Sequence, residues 1–391
     1  MNSSHQIKNR LFVIDALRGF AIVAIMLLHN IEHFDYYFTP ENHPAWLINF
    51  DKWLWDFLFF MFAGKAYAMF ALLFGLTFYI QSHNQNKKGK DFGLRFAWRM
   101  ILLFAFGIIN SAFYQGDILT IYAVLGLFLI PINRLNDKAM LITALILFLQ
   151  PLQWIFVISA LNQPDGDLAD PTSWSYFGKM IEYIPNSSFW ETVKGNLSNG
   201  KKAVLLWNWE NGRYFLILSL FVLGLWSGRQ KIFVWEIKGA KFWQRVLKIS
   251  FIGFVVIYIG NKYFASKLSS EAIKRPLDVI LSSWSNTAFM LVLLASFVLL
   301  FHSKQFHKIL NYFSSFGKMS LSNYIIQSII GSSLYYGFGL GLYRYTGTLY
   351  AVLIALILVF LLGRFCKWWL NKHKRGPLET IWHHLTWFNS N

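Results

Sequence analysis

Leu11-Phe-Val-Ile-Asp15-Ala-Leu-Arg18-Gly19-Phe-Ala-Ile-Val-Ala-Ile-Met-Leu-Leu-His29-Asn-Ile31 is the stretch that decides how this chain folds. A helix needs roughly 20 mostly apolar residues to cross the hydrocarbon layer of a bilayer, and this segment has that length. Similar runs follow at Ile101–Phe113, Met140–Leu161, Leu216–Trp226, Ile249–Ile259, Ala288–Phe301 and Leu349–Leu362, nearly free of charge. Of the 391 residues 55% are hydrophobic and 14% charged. A soluble domain carries about 25% charged residues, because its surface must be solvated. Length alone would suggest two or three soluble domains. The hydropathy overrules it, and the expected fold is all-α: a polytopic integral membrane helical bundle.

The net charge of +17 is distributed in a way that sets the topology. Basic residues cluster between apolar runs, at Lys87, Lys88, Lys90, Arg95 and Arg99, again from Arg229 to Lys248, and again from Lys367 to Arg375. Segments poorer in Lys and Arg alternate with them, the positive-inside pattern. The first helix then runs outward from a basic cytoplasmic N-terminus over Leu11–Ile31. Further passes are expected at Ala66–Ser82, Ala97–Tyr114, Ile118–Ile132, Met140–Leu161, Gly212–Gly228, Leu247–Phe264, Val279–His302, Ser320–Phe338 and Thr348–Cys366. About ten transmembrane helices leave both termini cytoplasmic, in the cell (inner) membrane. The chain divides into an N-terminal transmembrane half (1–160), an extracytoplasmic region (161–212) and a C-terminal transmembrane half (213–391). Lipid is the surrounding partner and a homo-oligomer is open; no groove-binding motif points to nucleic acid.

Some segments depart from tight helix-to-helix connection. The outer loop His33–Asp51 is polar, aromatic and proline-containing, and Asn162–Asn211 is long and rich in Trp, Asn and Ser. Loops over about 12–15 residues are often functional. Within the second, Trp174–Tyr183 and Phe189–Leu197 read as short interfacial helices, and Trp53–Lys65 reads as a helix lying on the outer surface before the second span. Asn186-Ser-Ser and Asn196-Leu-Ser are sequons, meaningful only in a eukaryotic secretory context. The N-terminus resembles a signal peptide, but Asp15 and Arg18 interrupt the apolar stretch and no small-residue cleavage site follows, so a retained helix is expected. Cys366 is the lone cysteine, which excludes an intrachain disulfide and a cysteine metal cluster.

Chemistry concentrates in the first helix. Asp15 and Arg18 stand at i and i+3 on one face. Charged groups in a membrane helix are costly and face the bundle interior, where they pair or serve a site. His29 lies eleven residues, about three turns, beyond Arg18, hence on the same face and about 16 Å away. One face thus carries a cation near the cytoplasm and an imidazole near the opposite side, which suits an anionic cofactor entering from inside and reacting near the outside. The same face also permits a bland reading, in which an Asp15–Arg18 pair anchors the helix and His29 is a hydrogen-bonded interfacial histidine.

Arg18-x10-His29 resembles the first-helix motif of acyltransferase family 3, whose members move acyl groups from cytoplasmic acyl-CoA to extracytoplasmic acceptors. Arg95-Phe-Ala-Trp-Arg99 loosely resembles that family's paired-arginine motif, with one residue too many between the arginines. The run Arg10-Leu-Phe-Val-Ile-Asp15-Ala-Leu-Arg18-Gly19 more closely resembles the start of YeiB-like proteins, which carry domain of unknown function 418, and of the heparan-alpha-glucosaminide N-acetyltransferase group. Further YeiB-like matches are Leu73-Phe74-Gly75, Gly116-Asp117-Ile118-Leu119, Phe316-Gly317-Lys318-Met319-Ser320-Leu321-Ser322-Asn323-Tyr324 with Gln327-Ser328, and Gly376-Pro377-Leu378-Glu379. The resemblance implies an acyltransferase of the transmembrane superfamily with acyl-CoA (acetyl-CoA) as donor. Arg18, Arg95 and Arg99 would then hold the CoA, Asp15 would orient Arg18, and His29 or His43 would be the base. His43 is nominated because the acetyltransferase group places its catalytic histidine in the matching outer loop. Imidazole suits a general base at working pH, and Glu32 and Asp35 are close enough to orient either ring.

The remaining polar residues have two readings each. Asp117 supports the site or caps the helix that follows it. Asn323, Tyr324 and Gln327 share about one turn of the ninth helix, as site residues or as polar glue between helices. Arg95 and Arg99 hold phosphate or are ordinary positive-inside charge. His29 and His33 stand at i and i+4, but Glu32 is misplaced for H-E-x-x-H and no third ligand is apparent, so no metal is expected. The expectation is an acyl (acetyl) transferase acting on a sugar or other small-molecule or glycan acceptor. The alternatives are a small-molecule transporter or exporter, and a non-enzymatic membrane protein.

Overall fold

The computed structural model describes residues 3–162 and 169–387, with side chains from Phe12 onward. All regular structure among the described residues is helical. The helices are α1 (Ser3–Ile31), α2 (Ala45–Phe62), α3 (Ala66–Asn86), α4 (Gly93–Phe113), α5 (Leu119–Gly126), α6 (Leu129–Ile132), α7 (Asp137–Phe148) and α8 (Pro151–Asn162). After them come α9 (Thr172–Gly178), α10 (Phe189–Gly195) and α11 (Lys201–Glu210). The second half contains α12 (Arg213–Arg229), α13 (Trp235–Lys267), α14 (Glu271–Phe301), α15 (His307–Leu310), α16 (Phe313–Lys318), α17 (Ser320–Tyr335), α18 (Thr348–Lys372) and α19 (Pro377–Trp387).

Six segments are long and apolar enough to cross a membrane: 12–31 of α1, the α2–α3 stretch, α4, α13, α14 and α18. The α7–α8 pair, bent by 43°, makes a seventh if it is one span. Of the ten passes expected from the sequence, three fall on pieces shorter than a full span. Ile118–Ile132 is broken into α5 and α6, whereas α12 has 17 residues and α17 has 16.

The helix expected at Trp53–Lys65 is present, and it begins earlier than the sequence suggests. It is the later part of α2, which continues into α3 as one 42-residue apolar segment interrupted at 63–65. Gly64 takes φ +79° at the break. The Phe62 ring reaches the Phe20 ring (6.2 Å), so α2 ends inside the bundle against α1. At the break the Lys65 ammonium lies over the Phe60 and Phe289 rings, 5.5 and 5.7 Å away, cation–π contacts for a charge buried among apolar residues.

Close backbone approach fixes the centre. A methyl group on Gly19 would overlap the Phe313 carbonyl, and one on Gly317 would overlap the Asp15 carbonyl. Without a hydrophobic driving force between helices in lipid, small residues at the contact are what let backbones meet. The Asp-x-x-Arg-Gly and Phe-Gly-Lys motifs are therefore two halves of one α1–α16 contact.

Past Ile31 the chain turns through three successive left-handed residues, His33, Phe34 and Asp35 (φ 44°, 57° and 70°). Each costs a non-glycine residue about 1–2 kcal/mol, and such backbone persists only where the surroundings over-determine it. Here they do. The Tyr336 hydroxyl donates to the Phe34 carbonyl (2.7 Å), the Tyr114 hydroxyl donates to Asp35 (3.2 Å), and the buried Phe34 ring occupies the space a Gly331 side chain would need. This turn also takes His33 off the α1 face that carries His29.

The region 169–212 packs over the same end of the bundle. Expected short helices at Trp174–Tyr183 and Phe189–Leu197 are present as α9 with the 3₁₀ turn Lys179–Glu182, and as α10.

Candidate functional site

Among the described residues one cavity enters the bundle at the Arg18 end of α1 and another at the His29 end. The first, about 590 Å³, is bordered by the cations Arg18, Arg99, Lys318, Lys374 and Arg375 against the acids Asp15 and Glu379, with aromatic rings between. Both acids are engaged. Asp15 accepts from Arg18 (3.0 Å), and Arg18 also donates to Thr77 Oγ1 (2.9 Å), so the guanidinium is held on two sides. Glu379 accepts the backbone N–H groups of Leu321 (2.7 Å) and Ser322 (3.1 Å), and so caps α17 from α19. Burial raises the Glu379 carboxyl, and its bonds from Ser322 and Leu321 pull it back.

Arg99 presents its face to Trp382 (4.0 Å), donates to Thr386 Oγ1 (3.3 Å), and borders the cavity. Stacking fixes the plane of a guanidinium while leaving N–H edges for an anion. Arg95, one turn earlier, stacks on Trp387 (4.3 Å) and does not border the cavity; its Nη1 is buried without a partner. The two arginines share a helix face, and only one of them reaches the space.

The second cavity, about 430 Å³, is lined by His29, Glu32, Asp35 and Arg213 among aromatic walls that include Trp207 and Trp174. The His29 ring is packed 4.6 Å from Tyr114 and 5.5 Å from Phe34, and its Nδ1 is buried without a partner. Glu32 and Asp35 do not bond the imidazole. Glu32 accepts from the Tyr37 hydroxyl (3.2 Å) and Asp35 from Tyr114. Burial raises both carboxyls, the Asp35 charge raises Glu32 further, and Arg213 offsets part of this. The Arg213 guanidinium stacks on Trp207 (3.9 Å) and Tyr67 (4.5 Å). Sequence reasoning missed it, because an arginine beside a helix-starting glycine carries no signal beyond charge at a helix end. The helix break at Ala63 and Gly64 borders the same cavity, and irregular backbone at membrane depth is tolerated where it lines such a space.

His43 borders neither cavity. It lies 4.0 Å from Asp51, whose carboxylate accepts the Leu349 N–H (2.7 Å) at the start of α18. Asp117 is fully buried and does cap α5, accepting Thr120 N–H (3.0 Å), with Asn110 (3.1 Å) and the ammonium of Lys201 (3.3 Å) completing its shell. Lys201, from α11, is a second residue the sequence did not single out. Asn323 donates to the Phe316 carbonyl and Cys366 Sγ (both 3.3 Å), an interhelical tie away from both cavities. Gln327 is buried with its amide unpartnered. Tyr324 borders both cavities, its hydroxyl accepting the Ile118 N–H (3.2 Å).

His33 yields a pH test. Its Nε2 lies 3.0 Å from Thr346 Oγ1, whose own proton goes to the Leu342 carbonyl, so Nε2 is the donor. Burial pushes this imidazole down from 6.5 to about 4. The fold thus prefers neutral His33: its contribution is complete above pH 6.5 and is lost as pH falls toward 4, by about 3 kcal/mol in all. His33→Gln is expected to flatten the fall of thermal stability between pH 7 and 5 relative to the wild-type chain, read by thermal unfolding in detergent. An unchanged slope would reject this account.

Residues 227–389 match the family described as Protein of unknown function (DUF418). Over 401 aligned positions the chain is 27% identical to the uncharacterized protein YxaH of Bacillus subtilis (strain 168), covering 97% of this chain and 95% of the relative. It is also 27% identical over 401 positions to the uncharacterized protein YeiB of Escherichia coli (strain K12), covering 95% of each. An uncharacterized 39.9 kDa protein in the amylase 3' region of Bacillus acidopullulyticus is 25% identical over 397 positions, 97% of this chain and 94% of the relative. No solved structure matches. Residues 227–389 are therefore a DUF418 region, in a chain that is a full-length relative of YxaH and YeiB.

Proposed function

We propose that this chain is a multi-pass enzyme of the cell membrane that moves an acyl group, acetyl in the simplest case, from cytoplasmic acyl-CoA to an acceptor on the other side. The observation that carries the reading is the pair of cavities meeting end to end at Tyr324, basic at the Arg18 end and titratable at the His29 end. In this reading the bundle crosses the membrane ten times: the six long segments, the bent α7–α8 pair, α5 with α6, α12 and α17. Both termini then lie on the cytoplasmic side with the basic cavity.

Arg18 and Arg99 are the cations that would hold the donor's phosphates, with Asp15 and Thr77 positioning Arg18 and Trp382 positioning Arg99. Lys318, Lys374 and Arg375 extend the same positive rim, and Arg95 supports α19 through Trp387 rather than meeting the donor. At the other end His29 takes the proton of the acceptor hydroxyl or amine as the new bond to the acyl carbon forms. The carbon–sulfur bond of the thioester breaks, and the CoA thiolate takes up the proton that His29 gives back, which regenerates the base. Aromatic walls at Trp207 and Trp174 suit the flat face of a sugar ring, and Glu32 and Asp35 offer acceptors to its hydroxyls.

The test is acetyl-CoA binding to the purified protein by calorimetry, followed by CoA release. Arg18→Ala is expected to weaken binding about tenfold, the loss of one charge-assisted contact. Absence of binding at millimolar acetyl-CoA would overturn the enzyme reading. A transporter is the second reading, favoured by the broken α2–α3 helix at Gly64, since interrupted helices line substrate sites in many transporters. Solute movement into proteoliposomes without CoA would support it.

A further inference from the structure

We infer that Tyr324 is the septum between the two cavities, and that displacing its ring is what joins them. Among the described residues it is the one that lines both spaces. It is buried on α17, and its hydroxyl is tied to the Ile118 N–H at the start of α5. The wall continues at the same level on the neighbouring helices. Ile118 borders the His29 cavity and Leu119, the next residue, borders the Arg18 cavity. Tyr67 borders the former and Tyr122 the latter, and the Tyr122 hydroxyl donates to the Tyr67 carbonyl (2.9 Å), joining α5 to α3. Adjacent residues of α5 thus border opposite spaces.

Of these wall elements Tyr324 and Tyr122 are tied by side-chain hydroxyls, and Tyr324 is the one of the two that faces both cavities. Tyr67 contributes its backbone carbonyl, and Ile118 and Leu119 are set by the start of α5. The Tyr324 ring swings about its own side-chain torsions at the cost of one neutral hydrogen bond. Its ring centroid is 6.4 Å from that of His29, so a chain passing where the ring stood arrives directly at the imidazole. An opening of one tyrosine ring admits an extended, unbranched arm and refuses a nucleotide. On the acyl-transfer reading, which this last step rests on, the thioester arm passes while the adenine and phosphates stay in the basic cavity. Tyr324 is then a specificity-determining residue, and the closed ring prevents the two aqueous spaces from short-circuiting the membrane.

The septum is testable without any assumption about acyl transfer. Cys366 is the single native cysteine, so Cys366→Ser provides a cysteine-free background. Leu119→Cys and Ile25→Cys then place one thiol on either side of the wall, for labelling by a membrane-impermeant methanethiosulfonate added to one face of sealed vesicles. With Tyr324 present, each thiol is expected to react from its own end only. Tyr324→Ala is expected to raise labelling from the opposite end at least tenfold, and Tyr324→Phe, which keeps the ring and loses the hydroxyl, several-fold. Two-sided labelling with Tyr324 intact would overturn the proposal, and so would unchanged one-sided labelling in both variants. Should Tyr324→Ala fail to fold, Tyr324→Phe decides alone by the same criterion. Failure of acetyl-CoA binding would remove the donor reading and leave the septum standing, so the two outcomes are separable.

Discussion

Alanine at position 29 is expected to lower turnover by about 10²–10⁴-fold, the range that a positioned acid–base group supplies, and alanine at position 43 to leave it essentially unchanged. Both histidines are eligible by sequence, and their surroundings separate them. The His29 ring lines the cavity, is held between Tyr114 and Phe34, and keeps Nδ1 free of any protein partner. Its place on the cavity wall is what makes His29 the candidate base. His43 instead sits beside Asp51, whose other oxygen caps α18, so its loss perturbs a helix start rather than a reacting group. CoA release by the two variants is the readout, with acetyl-CoA binding as the control. Because His29 lines a different cavity from Arg18 and Arg99, His29→Ala is expected to bind donor as the wild-type chain does. Loss of turnover in His43→Ala alone would move the base to the rim of the bundle.

How much of this was legible beforehand follows the range of the interactions. Asp15, Arg18 and His29 lie on one helix, with Asp15 and Arg18 bordering one cavity and His29 the other. The motif around Glu379 was visible, but its action was not: the carboxylate caps a helix 57 residues away, and no local pattern encodes that. Arg95 and Arg99 look equivalent on a helical wheel. Depth separates them, since Trp387 takes one and the cavity border the other. At the end of α2 the lysine in an apolar run was legible but its partners were not, since the Lys65 ammonium lies over Phe60 and over Phe289, the latter from α14. Arg213 was invisible, as its role depends on Tyr67 and Trp207 from two other helices.

Valine at Gly19 or Gly317 is expected to destabilise the fold by roughly 1–3 kcal/mol, toward the upper end of that range, and to impair donor binding with it. The argument is steric. At both positions the new side chain meets a backbone carbonyl, Phe313 in one case and Asp15 in the other. A side chain could rotate away; a carbonyl within a helix moves only if the helix moves. Separating α1 from α16 would also carry Arg18 away from its contacts, because Arg18 adjoins Gly19 and its guanidinium lies 3.5 Å from the Gly317 carbonyl. The loss of stability and the loss of donor affinity are thus coupled at this contact. Gly253→Val is the control, as a side chain at Gly253 in α13 meets nothing within 4 Å. Thermal unfolding in detergent, alongside acetyl-CoA titration, reads both effects. If Gly19→Val melts with Gly253→Val and binds donor equally well, the α1–α16 approach is not what seats Arg18, and the basic cavity must be organised from α3 and α19 instead.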